Sequence, residues 1–378
     1  MDEALANHDR PMTGYTLVTD TGAADALAER WRGVGRLAVD TEFVREDTFS
    51  AKLCLLQLSD GDRIACVDVL ALEGLGAVAG LLTDPAILKV FHSARQDLEI
   101  LYEHLGRVPG PVWDTQLAAA LTGYPDQVGY GGLVEGELGI QLGKGHARTD
   151  WSRRPLSDEQ LRYAADDVRH LLAVADRLGA RLEDAGRTAW AEAESAALTD
   201  ESLYAFDSAG AWRRIKGARQ LEGEALARLV ALAAWREEEA RRRNRPRRWI
   251  LADQALLDLA REAPEHPGAV SGIRSVPPAV ARRHSRSLVA AMAEGADTPP
   301  PVQDGPGRLE PAQEKLAGAL MKRLREIAGA EGISASLIAP RREIERLVAG
   351  ERDLPLLSGW RRDVAGKELL ARLRERAG

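Results

Sequence analysis

One short stretch, Leu37-Ala38-Val39-Asp40-Thr41-Glu42, puts two carboxylates directly after an apolar run. The apolar run predicts a buried strand, and residues two apart in a strand point to the same face. Asp40 and Glu42 can therefore converge on one point. Because adjacent anions repel unless a cation lies between them, the pair is a candidate site for a divalent metal ion. A solvated strand end is the competing interpretation, since an Asp-x-Glu triplet often arises by chance.

Around this stretch, the first 200 residues alternate apolar runs of strand length with helical patterns. The strand-like runs are Arg36–Val39, Leu53–Leu58, Ile64–Val69 and Leu88–Phe91. Asp60-Gly61 separates the second run from the third, and Asp-Gly between apolar runs is typical of a β-hairpin. The first three runs therefore predict an antiparallel meander, within a mixed sheet that is flanked by helices.

Helix signals follow the fourth strand-like run. The segment Asp97–Tyr102 has a helical pattern, which Gly106 closes. Asp114 is a favourable N-cap for the helix that follows it.

A longer helix is predicted to begin at Ser157, which forms a capping box with Gln160, and to continue through Leu172. Before it lie two glycine-rich segments, Tyr130–Gly132 and Gly143–Gly145. Both are interpreted as loops, because glycine is common in turns and rare inside helices.

Strand signals stop near residue 200, and the rest of the chain is helical. Helices are predicted over 222–243, Gln254–Arg261 and Ala279–Ala293. The segment Glu294–Gly307 is rich in proline and glycine, which is typical of a linker. The chain is thus predicted to contain three domains, at 1–200, 208–295 and 309–378.

Composition limits the class of protein. Hydrophobic residues make up 45% of the 378 residues and charged residues 29%, as in soluble globular proteins. No apolar stretch approaches the length of a membrane span and the N-terminus lacks a signal-peptide pattern, so a cytoplasmic location without membrane contact is expected. Cys54 and Cys66 fall in strand-like runs, which favours buried free thiols over a disulfide or a zinc site.

Charge is distributed unevenly along the chain. Residues 208–295 contain 17 Lys and Arg against 10 Asp and Glu, a net charge of +7, whereas the whole chain carries −7. An acidic body joined to a basic module suggests a site that gathers cations beside a surface that gathers phosphates.

Two further acidic positions could complete the pair of carboxylates. Asp97 begins a predicted helix, and Tyr163 and Asp167 are four residues apart, so that they share one helix face. Each has an ordinary explanation when taken alone: a favourable acid in a first helical turn, a core tyrosine, and an ion-pair partner of a nearby arginine. Together with Asp40 and Glu42 they place four acids and a tyrosine in one α/β domain.

At this point the sequence resembles the DEDD superfamily of 3′→5′ exonucleases and, within it, the ribonuclease D family. Three segments carry the resemblance, Asp40–Arg45, His92–Glu99 and Tyr163–Asp167, in the order of the three exonuclease motifs. The histidine branch of the superfamily has its histidine five residues before the last aspartate, where this chain has Arg162. Tyr163, one position later, matches the tyrosine branch.

The resemblance extends over nearly the whole chain. It implies an α/β nuclease domain with an RNase H-like mixed sheet at 1–200, followed by two small all-α domains. Residues 208–295 resemble the HRDC (helicase-and-RNase-D C-terminal) domain, and 309–378 resemble a second, more divergent HRDC-type domain.

The resemblance also implies an activity, a metal-dependent 3′→5′ exoribonuclease that trims tRNA precursors and other small structured RNAs and releases nucleoside 5′-monophosphates. Two divalent ions, Mg²⁺ or Mn²⁺, would be held by Asp40, Glu42, Asp97 and Asp167, because carboxylates suit these ions. By the same analogy Asp40 would bridge both ions, Glu42 and Asp167 would complete the site of the ion that activates water, and Asp97 would hold the second. Tyr163 would orient the attacking water, since an ordinary pKa near 10 favours hydrogen bonding over proton abstraction.

Candidate contacts to nucleic acid lie in two places. Phe43 could stack on a terminal base or belong to the core. Six arginines of one basic run could bind phosphates, or could form a solvated helix end: Arg241, Arg242, Arg243, Arg245, Arg247 and Arg248. Four further cations are phosphate contacts or solvated loop residues: Lys144, Arg148, Arg153 and Arg154.

Two other functions compete with this interpretation. A 3′→5′ DNA exonuclease would use the same site, although no polymerase domain is recognisable in the chain. A non-catalytic RNA-binding protein would use the helical domains alone, and the complete set of four acids and Tyr163 argues against it. RNA is the expected partner, and no obligate protein partner is evident.

Overall fold

The structure is a computed structural model that describes residues 14–143, 149–301 and 309–377, except for the side chains of the last two. Lys144, Arg148 and the second part of the predicted linker, from residue 302, lie outside the described residues. The chain divides into two compact units. The first comprises the residues up to Phe43, Leu53–Tyr204 and those from Gly305 onwards, and the second comprises Val44–Lys52 and Ala205–Asp304. Within the described ranges, none of the helices combines the length and the apolarity needed to cross a membrane.

One mixed sheet of six strands lies in the first unit, in the order β1-β4-β3-β2-β5-β6. The strands are β1 (Thr16–Val18), β2 (Arg36–Val44), β3 (Lys52–Ser59), β4 (Ile64–Asp68), β5 (Leu88–Phe91) and β6 (Val112–Asp114). Strands β3 and β4 pair antiparallel, as the Asp60-Gly61 turn predicts, whereas β1–β4, β2–β5 and β5–β6 pair parallel. The predicted mixed sheet is therefore confirmed.

The strand predictions need two corrections. Strand β2 continues to Val44 rather than ending at Val39, so Asp40 and Glu42 lie inside the strand. Strands β1 and β6 were not predicted, because a strand of three residues is too short to show a clear alternation.

Helices flank this sheet in the first unit and form the second unit, as far as the chain is described. In the first unit they are α1 (Thr21–Arg30), α2 (Val78–Thr83), α3 (Arg95–Leu105), α4 (Thr115–Leu121), α5 (Tyr130–Leu138), α6 (Asp158–Arg169), α7 (Leu171–Asp184) and α8 (Thr188–Ala197). In the second unit they are α9 (Gly223–Arg243), α10 (Arg247–Ile250), α11 (Asp253–Glu262) and α12 (Pro278–Ala296). The C-terminal helices of the first unit are α13 (Pro311–Glu331), α14 (Ala335–Ile338), α15 (Arg341–Val348), α16 (Gly359–Arg361) and α17 (Lys367–Ala377).

Local capping signals predicted several helix ends correctly. Gly106 ends α3 in the left-handed conformation with φ 70°. The Asp114 carboxylate accepts hydrogen bonds from the backbone N–H groups of Gln116 and Leu117 at the start of α4. Ser157 and Gln160 form the predicted capping box of α6.

Three helix predictions were wrong. Tyr130–Leu138 forms helix α5 rather than a loop, because Leu133 and Val134 are buried and their packing outweighs the low helix propensity of its glycines. The predicted long helix is two helices, α6 and α7, which meet at His170. The predicted linker starts too early, because α12 continues to Ala296.

The two units have separate hydrophobic cores. The core of the second unit lies between its helices, around Leu229 and Leu256. In the first unit, one apolar cluster contains Leu178 of α7 together with Leu320 and Trp360 from the C-terminal helices. The C-terminal helices therefore share a core with helices of the predicted nuclease domain. The division into three domains at the stated boundaries stays a prediction.

Candidate active site

The predicted acids are supplied by three different elements of the first unit. Strand β2 provides Asp40 and Glu42, which the strand alternation places on the same face. Helix α3 provides Asp97 in its first turn, directly after β5. Helix α6 provides Tyr163 and Asp167, one helical turn apart. All five residues line one open pocket.

Three of the four carboxylates form a compact group. Asp40, Glu42 and Asp167 each offer an oxygen atom, and these oxygens lie within 4.8 Å of one another. Asp97 lines the same pocket but does not belong to this group. Its Oδ1 accepts a hydrogen bond of 2.5 Å from the Thr41 hydroxyl, so strand β2 also holds the acid of α3.

The acids repel one another and are poorly solvated. Burial and the charge of Asp167 raise the pKa of Asp40 well above its usual range. Burial and the charges of neighbouring acids raise the pKa of Glu42 to about 10. Burial and the charge of Asp40 raise the pKa of Asp97 well above its ordinary value. Burial also raises the pKa of Asp167 to about 7. Within the described ranges, none of these acids forms an ion pair, so the group fits a divalent cation that would supply the missing positive charge.

Tyr163 lies against the same acids. Its hydroxyl hydrogen-bonds to Asp167, and its ring packs 6.1 Å from that of Trp151. Burial and the nearby carboxylates raise the pKa of Tyr163 above its ordinary value. The phenol therefore stays protonated at neutral pH, which suits a hydrogen-bond donor rather than a base.

A strained turn holds the start of α3 in place. Ser93 adopts a positive φ of 64°, which is uncommon for a residue with a side chain. The Asp114 carboxylate accepts hydrogen bonds from the backbone N–H groups of Ser93, at 3.0 Å, and Ala94, at 2.7 Å. Asp114 thus caps α4 and also fixes the turn that positions Asp97.

Other pocket residues were missed by the sequence reasoning as site residues. Tyr130 and His92 line the pocket with their rings 5.7 Å apart, and the Tyr130 hydroxyl accepts a hydrogen bond from the backbone N–H of His170. Arg95 and Gln96 line it from the first turn of α3. The positions of His92, Arg95 and Gln96 in the second motif could have identified them as pocket residues. Tyr130 offered no such signal, because it lies in a glycine-rich segment that was interpreted as a loop.

Three of the candidate contacts to nucleic acid lie in different surroundings. Phe43 lines the pocket and is half-buried, and its contact with a base stays a prediction. Arg154 is not a free phosphate contact, because its guanidinium bonds both oxygens of the buried Asp68 at 2.6 and 2.7 Å. Arg153 pairs with Asp150.

The basic run of the second unit is partly neutralised. Arg242 and Arg243 pair with Glu239, and Arg247 pairs with the buried Glu237. The remaining arginines of the run are exposed and form no ion pair among the described residues: Arg241, Arg245 and Arg248.

Three kinds of comparison relate this chain to known proteins. The family described as 3′-5′ exonuclease matches residues 15–183, and the HRDC domain matches residues 225–292. Exonucleases of the matched family depend on divalent metal ions. The pocket acids lie within the exonuclease match, and the basic run lies within the HRDC match.

Relatives match far beyond these two domains. Ribonuclease D of Granulibacter bethesdensis is 40% identical over 366 residues, which cover 94% of this chain and 92% of the relative. Ribonuclease D of Pseudomonas paraeruginosa is 37% identical and covers 93% of this chain and 96% of the relative.

A solved structure agrees with these relatives. The crystal structure of Escherichia coli RNase D, described as an exoribonuclease involved in structured RNA processing, superimposes with a TM-score of 0.86 at 31% identity. The match covers 96% of this chain and 99% of the other. Because relatives of this identity match almost the full length of both chains, the protein belongs to the ribonuclease D family of 3′→5′ exoribonucleases.

Proposed function

We propose that this protein removes nucleotides from the 3′ ends of tRNA precursors and other small structured RNAs and releases nucleoside 5′-monophosphates. The observation that carries the proposal is the convergence of Asp40, Glu42 and Asp167 within 4.8 Å, in one pocket with Asp97 and Tyr163. Family membership supports the polarity of the reaction. Cytoplasmic RNA is the substrate in this proposal.

The acids would hold two divalent ions, Mg²⁺ or Mn²⁺. Asp40, Glu42 and Asp167 would hold one, while Asp97 and a shared Asp40 would hold the other. Bound ions of this kind lower the pKa of a water molecule and neutralise charge on the attacked phosphate and the leaving 3′-oxygen. The supporting observation is that these carboxylates have raised pKa values and form no ion pair within the described part of the chain.

The protein groups around the acids position the reaction. The protonated Tyr163 hydroxyl, beside Asp167, would orient the attacking water from the α6 side. The Thr41 hydroxyl holds the Asp97 carboxylate in a single orientation. Phe43, at the pocket wall, would stack on the terminal base.

The activity is tested with 3′-labelled single-stranded RNA and DNA of the same sequence. We expect Mg²⁺- or Mn²⁺-dependent release of labelled 5′-mononucleotide from RNA, and none with EDTA. Faster digestion of the DNA would favour the DNA exonuclease, and binding without digestion in either metal would favour the non-catalytic RNA-binding protein.

The basic run of α9 and α10 would bind the RNA backbone. Such contacts supply affinity that depends on salt rather than sequence recognition. Because Arg242, Arg243 and Arg247 already pair with glutamates, we assign the larger share of phosphate binding to the other three arginines. Trp249, which is 50% exposed, lies 5.8 Å from the Arg245 guanidinium and offers a stacking face beside them.

A double substitution tests this assignment. The variant Arg245→Gln with Arg248→Gln is expected to weaken RNA binding and to reduce the slope of log affinity against log salt by about two. A matched double variant in the same unit, Arg219→Gln with Arg282→Gln, removes the same charge outside the run and should leave the slope nearly intact. Equal slopes for both double variants would show that the run is merely solvated.

A further inference from the structure

One cation lines a pocket that is otherwise acidic. Among the described residues that line it, Arg95 is the only arginine or lysine. It shares the pocket with five carboxylates, those of Asp40, Glu42, Asp97, Glu99 and Asp167. A cation among so many acids would ordinarily pair with one of them.

Arg95 instead turns towards the segment that follows α8. Its guanidinium donates a hydrogen bond of 3.1 Å to the Leu203 carbonyl and lies 4.9 Å from the centre of the Tyr204 ring. Within the described ranges it forms no ion pair with a pocket acid. The Tyr204 ring is itself held, because its hydroxyl donates to the Leu198 carbonyl at 2.7 Å and its face packs 6.1 Å from Tyr102. The Arg95 guanidinium is therefore held by one ring and one carbonyl, which use only part of its five N–H donors.

The backbone fixes Arg95 relative to the acids. Arg95 is the first residue of α3, two positions before Asp97, and both follow the Ser93 turn that Asp114 holds. The first turn of α3 therefore carries both this arginine and one of the acids. A fixed backbone spacing between two such groups suits recognition of two neighbouring phosphates of one chain.

The negative charge of an RNA substrate defines a role for Arg95 beside the acids. An RNA chain entering the pocket brings one phosphate with each nucleotide, and the metal ions of the proposed mechanism neutralise only the scissile phosphate. The neighbouring phosphate would meet the acidic lining of the pocket, and among the described lining residues Arg95 is the arginine that could bind it. A guanidinium that is stacked on a ring and has N–H groups to spare suits bidentate phosphate binding.

We propose that Arg95, supported by Tyr204 and the Leu203 carbonyl, is a positioning residue that binds the backbone phosphate next to the scissile one. It thereby selects polynucleotide ends over esters with a single phosphate. This inference rests on the proposed exonuclease function, because it needs an RNA 3′ end in the pocket.

The test compares two substrates that differ in the neighbouring phosphate. RNA has it, whereas thymidine 5′-monophosphate p-nitrophenyl ester contains only the bond to be cut. The wild-type protein is measured first with Mn²⁺, and inactivity on RNA would reject the exonuclease function rather than the role of Arg95. With Arg95→Gln we expect KM for RNA to rise about 10-fold with a smaller change in kcat, and the loss of kcat/KM on RNA to exceed that on the ester about 10-fold.

Binding without turnover gives a second measurement. In an Asp167→Asn background, Arg95→Gln should raise the Kd for RNA about 10-fold and lower its salt slope by about one. Arg95→Lys should recover only part of the affinity, because a lysine keeps the charge but not the planar fork. Tyr204→Leu should lose part of it and Tyr204→Phe less, since phenylalanine keeps the ring.

A matched control is Arg107→Gln. Arg107 is also an exposed arginine that donates to a backbone carbonyl at 3.1 Å, that of Thr83, but it does not line the pocket. Equal losses on RNA and the ester for Arg95→Gln would overturn the proposal, because they would place Arg95 at the acid group. An effect no larger than that of Arg107→Gln would overturn it as well.

Discussion

Asp40→Asn is expected to lower metal-dependent RNA hydrolysis by at least about 1000-fold, because the asparagine removes the anion proposed to bind both ions. The measurement is the single-turnover rate on 3′-labelled RNA at saturating Mn²⁺. Asp166→Asn is the matched control, since Asp166 lies on the same helix as Asp167 but outside the pocket, where it pairs with Arg169. We expect this control to stay within a few-fold of the wild type. A comparable loss in both variants, or full activity in Asp40→Asn, would contradict the assignment.

Although Asp40→Asn should remove the activity, it should stabilise the metal-free protein. The folded protein holds pocket protons more tightly than the unfolded chain does, because burial and mutual repulsion raise these pKa values. Metal-free stability should therefore fall as pH rises from about 4 through about 7, the pKa of Asp167. Removing one charge relieves this cost, so Asp40→Asn should unfold at a higher temperature than the wild type at pH 8 in EDTA.

With metal ions present, the wild type should unfold at a higher temperature than Asp40→Asn. Mn²⁺ and protons compete for the same oxygens, so Mn²⁺ should raise the Tm of the wild type more at pH 8 than at pH 5.5. The Tm of Asp40→Asn should respond much less at either pH. A variant that is inactive yet unstable in EDTA would show that Asp40 has a structural role instead.

Deletion of residues 309–378 is expected to destabilise the nuclease body severely rather than to release a separate domain. The C-terminal helices complete an apolar cluster that includes Leu178 and Ala191, which would become exposed. Polar contacts reinforce this junction: the Trp360 indole N–H donates to Glu194 at 2.9 Å, and Arg361 pairs with the same carboxylate. We therefore propose that the third predicted domain is part of the nuclease body, and that the second unit interrupts this body in the sequence only.

A single substitution makes the test quantitative. Trp360 is 8% exposed and stacks on Trp190 at 4.6 Å, so Trp360→Ala should cost about 3–5 kcal/mol of stability in the unit that carries the acids. Trp249→Ala, at a position 50% exposed in the second unit, removes the same side chain and should cost about 0.5 kcal/mol or less. Urea midpoints and activity remaining after heating would measure both. Equal effects, or a stable and active chain that ends at 308, would show that the C-terminal helices are independent.

Local signals in the sequence predicted much of the fold. The run Leu88–Phe91 coincides with β5, Asp60-Gly61 lies in the predicted hairpin, and Ser157 caps α6. Each of these signals acts over a few residues, through alternation, turn conformation or a cap. Helix α5 escaped prediction because the burial of Leu133 and Val134 depends on partners far along the chain.

Local signals in the sequence did not predict which charged groups form ion pairs. Arg154 looked like a loop cation, yet it bonds Asp68, 86 residues away. Within the basic run, nothing in the local pattern distinguishes Arg247, which is bound to a buried glutamate, from the exposed Arg248. Such pairings follow from which elements pack together, and the packing is set by long-range contacts.

The sequence by itself determined which residue types are present and in what order: Asp40, Glu42, Asp97, Tyr163 and Asp167 on a strand and two helices. Only the tertiary structure decided that three of these acids meet within 4.8 Å, that Thr41 holds Asp97, and that Arg95 turns to Tyr204. The physical reason is sequence separation. Periodicity and capping fix the face of one element, whereas convergence of side chains 56 residues apart, such as Thr41 and Asp97, depends on how whole elements pack.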